Sequence, residues 1–156
     1  MTLKNYNYQK PLDEKRIAKA YRQNAKVSTK YSIEFCNYFK NMPLKKAIKI
    51  SQDIQDKKDF LPLVRFNKKV GHRKGQSKRG VSSGRYPIKC AALVKELLKD
   101  VSSNAEDKNL DINKLKIIHM FASKGVTRSK LQPLGRVSGK QRESKSTNIE
   151  VIVLEE

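Results

Sequence analysis

The residues best placed to do chemistry in this sequence are cations on a glycine-spaced run. From Asn67 to Ser83 the chain carries Lys68, Lys69, Arg73, Lys74, Lys78 and Arg79, interleaved with Gly71, Gly75 and Gly80 and accompanied by His72. No carboxylate interrupts it. The acid-free window reaches from Phe60 to Lys95 and also takes in Arg65, Arg85 and Lys89. A solvated surface normally mixes both signs of charge. One-signed charge on a stretch with little to bury points instead to phosphate binding.

Catalytic chemistry has no comparable set of residues. His72 lies inside the basic run, where a cationic or stacking contact suits it better than general-base work. His119 lies in a strand-like segment and reads as packed or hydrogen-bonded. Gly71-His72-Arg73-Lys74-Gly75 lacks both the spacing and the Lys-Ser/Thr ending of a nucleotide phosphate loop. Cys36 and Cys90 fall far apart in helical patterns, and no CxxC or HxxxH spacing supports zinc, so they read as buried free thiols rather than a disulfide. Asp53, Asp56 and Asp59 fit a helix surface, and Glu155 and Glu156 fit a chain end. Neither an enzyme nor a metal or organic cofactor is expected.

The whole composition points the same way. Among 156 residues there are 35 Lys and Arg against 15 Asp and Glu, a net charge of +20, with 37% hydrophobic residues and no Trp. The length allows one domain with a modest core. Such charge says nothing about fold but much about partners: nucleic acid first, a membrane surface second. No apolar run approaches the roughly 20 residues of a membrane span. Met1 to Tyr8 has no apolar leader core, and Asp13 and Glu14 interrupt the opening, so an intracellular chain is expected.

The elements that must position these cations can be read in order. Residues 1–26 are polar and basic with scattered Tyr, and are left open between a short strand and an RNA-lying arm. Ser28 suits a helix N-cap, with Tyr31, Phe35, Tyr38 and Phe39 at helical spacing to Asn41. Pro43 starts a second helix, with Leu44, Ala47, Ile48 and Ile54 as its apolar stripe to about Asp56. Phe60 to Phe66 reads as extended. After Gly84-Arg85-Tyr86-Pro87 comes the strongest helix, striped by Ile88, Ala91, Val94, Leu98, Val101 and Ala105.

The C-terminal third reads as a long hairpin. Leu115, Ile117, His119 and Phe121 alternate on one face, and Ile149, Val151 and Val153 on one face of the return strand. Between the strands the chain is polar and basic, without an acid from Lys114 until Glu143. If the arms continue toward Arg128 and Ser138, each reaches roughly 40 Å at about 3.3 Å per residue. A sequence-specific DNA binder is the main rival reading; it needs a helix that presents base-reading side chains into a major groove. The long helix is dominated by its core stripe, however, and cations concentrated in loops and an arm suit irregular RNA better.

At this point the chain resembles a known family: the universal large-subunit ribosomal protein numbered twenty-two in the bacterial series, in its archaeal/eukaryotic-type form. The matching segments are Ala18-Lys19-Ala20, Ser28-Thr29-Lys30-Tyr31-Ser32, Val70-Gly71-His72-Arg73, Gly84-Arg85-Tyr86-Pro87 with Lys89, Asn104-Ala105, Lys116-Ile117-Ile118-His119 and Asn148-Ile149-Glu150-Val151-Ile152. They cover nearly the whole chain in order. The resemblance implies an α+β fold with three helices packed on a small antiparallel sheet and a long protruding β-hairpin. The expected organisation is a basic N-terminal arm over 1–26 and a single rRNA-binding domain over 27–156, including the basic loop 65–85 and the extended hairpin 114–154.

It implies a structural role in the cytoplasmic large ribosomal subunit, organising rRNA with no membrane partner and no homo-oligomer. Neighbouring subunit proteins and the nascent polypeptide are the other expected partners. The rRNA contacts would come from Lys19, Arg22, Lys30, Arg65, Lys68, Lys69, His72, Arg73, Lys74, Lys78, Arg79, Arg85, Lys89, Lys124, Lys140 and Arg142. Carried over by position, the tip would be Gly125 to Arg136, with Arg128, Lys130 and Arg136 as its RNA or tunnel contacts. Arg128, Ser129, Lys130, Leu131, Gln132, Pro133, Leu134, Gly135 and Arg136 would line the peptide exit tunnel. Here the sequence departs from the family's Pro-Arg-Ala-x-Gly-Arg: Pro133-Leu134-Gly135-Arg136 is shorter and has no Arg after Pro.

Overall fold

A computed structural model describes residues 6–11, 13–74 and 80–155. It contains β1 (Ile17–Ala25), α1 (Thr29–Phe39), α2 (Leu44–Gln55), β2 (Leu61–Pro62), β3 (Gly84–Arg85), α3 (Ile88–Glu106), β4 (Leu115–Leu131) and β5 (Gln141–Glu155). β5 lies between β1 and β4, antiparallel to both, and β2 pairs with β3 in a separate two-stranded ladder. The fold is therefore α+β, as the sequence implies. The N-terminal stretch takes the strand alternative along 17–25, pairing Ile17 with Leu154 and Ala20 with Val151.

The helices cover one face of the sheet. Phe35 and Phe39 of α1, Leu44, Ala47 and Ile54 of α2, and Val94, Leu98 and Val101 of α3 are fully buried with Ile149, Val151 and Val153 of β5. Burial of such side chains from water is the main stabilising term. Ile88, placed on the α3 stripe by its spacing, is 40% exposed, while Leu97 is buried. The α1–α2 turn is fastened to the outer edge of β4: Asn41 N–H donates to Ile117 O at 2.8 Å and Ile117 N–H to Met42 O at 3.0 Å. An exposed strand edge is thereby occupied.

Strict alternation along β4 does not hold. The register steps from Ile117 opposite Val153 to His119 opposite Ile152, so Ile118 is an extra residue on β4. A bulge switches the face of everything beyond it. Leu115 and Ile117 reach the core, and after the bulge Met120 and Ala122 do. His119 and Phe121 turn to the other face, where the rings stack at 6.3 Å. His119 Nε2 lies 2.9 Å from Oε1 of buried Glu150, which also accepts from Asn7 N–H at 3.0 Å, and Tyr8 packs on His119 at 5.3 Å. The segment around Asn7 thus crosses the face without helices.

Beyond β1 the hairpin stands as two strands. A second bulge lies between Lys124 and Thr127 of β4, opposite Thr147 and Lys145. Past it, pairing continues from Thr127 opposite Lys145 to Leu131 opposite Gln141. β4 is 17 residues long, but the part free of the third strand is about six, roughly 20 Å. Half of the 40 Å expected is therefore shared with the globular body.

Candidate nucleic-acid interface

The basic loop starts from a buried carboxylate. Glu34, on the apolar side of α1, accepts Val64 N–H at 3.2 Å on one oxygen and the N–H groups of Arg65 and Phe66 at 2.9 and 2.7 Å on the other. It is 1% exposed. A buried carboxylate needs such partners, and charge-assisted bonds of this kind are among the stronger ones. The turn so fixed presents the Phe66 ring, with the Arg65 guanidinium 5.4 Å and the Lys30 ammonium 5.6 Å from its centroid.

The other end of the loop is fixed by Arg73. Its backbone N–H donates to Ser82 O at 2.8 Å, its Nε donates to Gly84 O at 3.0 Å, and its guanidinium stands 5.2 Å from the Tyr86 ring centre. His72 pairs with Ser83 in an isolated bridge and is itself exposed. Gly84 has no room for a side chain: a Cβ would lie 2.2 Å from Phe60 Cδ2 and 2.9 Å from Leu61 O. Lys68, Lys69 and Lys74 are exposed. Lys78 and Arg79 lie outside the described residues.

Three expected contacts from distant parts of the sequence converge. Lys30 at the start of α1, Lys89 at the start of α3 and Lys124 at the hairpin root rim one open cleft of about 780 Å³. Lys26 and Lys145, absent from the expected set, share that rim, while Val27, Tyr31, Tyr86, Pro87 and Ile88 supply apolar and aromatic lining. Neither helix N-terminus has a side-chain cap. Lys26 and Lys145 are ordinary surface lysines in sequence, and only the strand pairing brings them together. Glu34 did leave a signal, standing within the Tyr31–Tyr38 apolar stripe, where a charge needs a partner.

Lys19 and Arg22 are placed differently. Arg22 Nη2 is 2.9 Å from Glu96 and 3.4 Å from Asp100 on α3, and Lys19 lies 3.7 Å from Glu14 and 5.8 Å from the Tyr6 ring centre. Both are tied to neighbours within the chain. Arg85, half-buried, donates from Nη1 to Gly84 O at 3.2 Å.

At the far end, Arg128, Ser129, Lys130 and Leu131 belong to β4, and the turn proper runs from 132 to 140. Gly125 is at the root bulge rather than near the apex. Gln132 N–H donates to Lys140 O at 3.0 Å and Gly139 N–H to Gln132 O at 2.9 Å, closing the loop. Gly135 and Gly139 take φ of +93° and +77°, which glycine adopts freely. Arg142 donates from Nε and Nη2 to Gln132 Oε1 at 3.1 and 2.9 Å, so it organises the turn. Pro133, Leu134 and Arg136 are exposed, as are Val137 and Lys140 in the turn's second half.

Among the described residues no group of three His, Cys, Asp or Glu side chains could hold a metal ion, and no helix is long and apolar enough to cross a membrane. Cys36 and Cys90 are free and buried.

The sequence matches known proteins over most of its length. A family model described as ribosomal protein L22p/L17e matches residues 20–154. The large ribosomal subunit protein uL22 of Methanosphaera stadtmanae is 44% identical over 127 residues, covering 81% of this chain and 80% of that protein. Its namesake in Archaeoglobus fulgidus is 34% identical over 148 residues, covering 95% and 94%, and that of Methanoculleus marisnigri 36% identical over 150 residues, covering 95% of each. With a shared pattern running from the first strand to the last, the chain belongs to the ribosomal protein L22p/L17e family.

Proposed function

We propose that this chain is a structural constituent of the large ribosomal subunit that binds and organises large-subunit rRNA, its extended hairpin lining the nascent-peptide exit tunnel. The observation that carries the reading is the segregation of charge. Cations outnumber acids on the 65–74 turn, around the cleft and along the hairpin, where Glu143 pairs with Lys145 at 3.3 Å, while Glu96 and Asp100 of α3 and Glu14 before β1 pair with Arg22 and Lys19. Proteins that neutralise phosphates release condensed counterions, which gives affinity without base readout. Relatives bearing the name of a large-subunit protein along nearly the whole chain add to this.

Its partners are then large-subunit rRNA, adjoining subunit proteins and the nascent polypeptide, in the cytoplasm. The chain does no catalysis. A groove-reading DNA helix is disfavoured, because α3 spends Cys90, Ala91, Val94, Leu97, Leu98, Val101 and Ala105 on the core. The candidate contacts of the loop, Lys68, Lys69, His72, Arg73 and Lys74, act on backbone phosphates. Arg128, Lys130 and Arg136 reach deeper along the hairpin.

The test has two parts. The purified chain binds structured large-subunit rRNA with affinity falling steeply between low and moderate salt. In cell extracts it co-sediments with the large subunit through a high-salt wash. Salt-insensitive binding, or recovery only in the soluble fraction or on chromatin, would reject the reading.

A further inference from the structure

The cleft between α1, α3 and the hairpin root has more than a phosphate surface requires. We infer that it receives an unstacked nucleotide of the bound RNA, base against the apolar lining and phosphate against the lysine rim. The inference rests on the RNA-binding reading and adds to it a particular site and mode of recognition.

Four observations carry it. The cleft's volume, about 780 Å³, falls in the range of small-ligand sites and exceeds what a backbone phosphate alone would occupy. Lys26, Lys30, Lys89, Lys124 and Lys145 surround it; Lys145 also pairs with Glu143 at 3.3 Å, and among the described residues no carboxylate is part of the lining. A pocket for an apolar peptide side chain would have no use for five ammonium groups. The lining is nevertheless apolar where a base would lie: Ile88, on the first turn of α3, keeps 40% of its surface exposed despite its aliphatic side chain. Two aromatic rings, Tyr31 and Tyr86, border that floor, and the Arg73 guanidinium stands over Tyr86 at 5.2 Å. Aromatic faces combined with cationic rims are how proteins hold splayed bases of single-stranded RNA, through stacking that tolerates any base.

The position strengthens the case. The cleft opens where the hairpin leaves the body, because Lys124, Ser144 and Lys145 belong to β4 and β5. An RNA strand following the hairpin's cations therefore passes over it. The uncapped N-termini of α1 and α3 at its edge add partial positive charge toward a phosphate.

The experiment uses the full chain and large-subunit rRNA transcribed with 4-thiouridine. The complex is irradiated, digested, and its nucleotide-bearing peptides are mapped. Adducts are expected on the peptides containing Tyr31 or Tyr86, besides any on the hairpin. Ile88→Glu changes a partly exposed side chain and should leave thermal stability within error. It should remove the cleft adducts and weaken binding about tenfold, the scale of one lost base stack, while hairpin adducts persist. Tyr86→Phe should behave as the parent chain and Tyr86→Ala as Ile88→Glu. RNA binding at parental strength by Ile88→Glu, with adducts confined to loop and hairpin, overturns the nucleotide site and leaves the RNA reading intact. Cross-linking of the cleft to a neighbouring polypeptide also overturns it. Absence of any RNA binding by the parent chain removes both.

Discussion

Asn24 Oδ1 accepts the Val126 N–H at 3.1 Å, joining the end of β1 to the first residue of the free hairpin. The same oxygen accepts from Ser146 Oγ at 3.1 Å, and Asn148 Oδ1 accepts Asn24 N–H at 2.8 Å, so one side chain gathers both hairpin strands at the second bulge. Asn24 takes φ of +50°, which asparagine tolerates better than most residues. Asn24→Gly keeps that backbone and its N–H bond to Asn148 but removes the two bonds accepted by the side-chain oxygen. It should cost about 1–2 kcal/mol and speed hydrogen exchange at Val126 while exchange in α3 stays slow. Gly125→Ala should do more, because its Cβ would lie 2.5 Å from Ser146 Oγ and 2.6 Å from Asn24 Oδ1. Unchanged exchange at Val126 in Asn24→Gly would show that strand pairing alone holds the arm's direction.

The Glu34 carboxylate predicts a large effect from a small change. Glu34→Gln preserves shape but turns an amide group toward three backbone N–H donors. Loss of charge-assisted bonds at a buried site should cost about 3 kcal/mol or more, read as a lower urea midpoint. The turn bearing Arg65 and Phe66 should loosen as well, so rRNA affinity should fall even in the fraction that remains folded. Parental stability in this variant would mean that the turn is held by its own backbone.

The buried thiols predict alkaline behaviour. Burial pushes Cys90 up to about 11, partly offset by its contact with Ser32, and pushes Cys36 higher still. In the unfolded chain a thiol ionises near 9, so the folded form's advantage is complete below that pH and is lost as pH rises toward 11. The loss is on the order of 2 kcal/mol for Cys90. Tyr6 and Tyr21, raised first by burial and then by the Glu150 charge, slope the same way. The useful comparison is therefore with the Cys36→Ala, Cys90→Ala double variant, whose urea midpoint should fall less between about pH 8 and pH 10.5. At about pH 8 both thiols should resist alkylation until the chain unfolds.

That inertness makes the hairpin tip accessible to a single-thiol probe. Leu134 is 80% exposed at the turn. In Leu134→Cys, assembled into large subunits, the new thiol should cross-link to a nascent chain carrying a thiol-reactive group, whereas Lys58→Cys, at an exposed position in the turn after α2, should not. Equal cross-linking at both positions would reject the tunnel-lining role for the tip.

How much of this could be read from the sequence depended on whether the cause was local. The stripes of α1, α2 and α3 depend on spacing within one helix, so their spans agree with expectation to within a few residues. The extra residue at Ile118 depends on pairing with a strand some thirty residues later, and two consecutive isoleucines, Ile117 and Ile118, gave no cue to it. Alternation therefore predicted His119 and Phe121 on the core face, where Met120 and Ala122 stand. The tip bounds, carried over by position from the family, began at Gly125, whose missing side chain instead makes room for Asn24 and Ser146 at the root bulge. Charge behaved differently again. Composition raised the expectation of phosphate binding, but only folding separates Arg22, paired with α3, from Lys30, Lys89 and Lys124, which share a cleft.

The position of β5 between β1 and β4 sets a clock on folding. Among the described residues β1 pairs with no strand but β5, so Ala18 and Ala20 wait for Val151 and Val153, more than 130 residues later in synthesis. At roughly 5–20 residues per second that wait is on the order of ten seconds, and pairings between such distant segments close slowly once possible. In its last part, once α3 is complete at Glu106, a strongly basic chain has its helices made but not the three-stranded sheet to pack them on. Premature association with any polyanion then competes with folding, and truncation before residue 141 should abolish the native state, however complete the helices are.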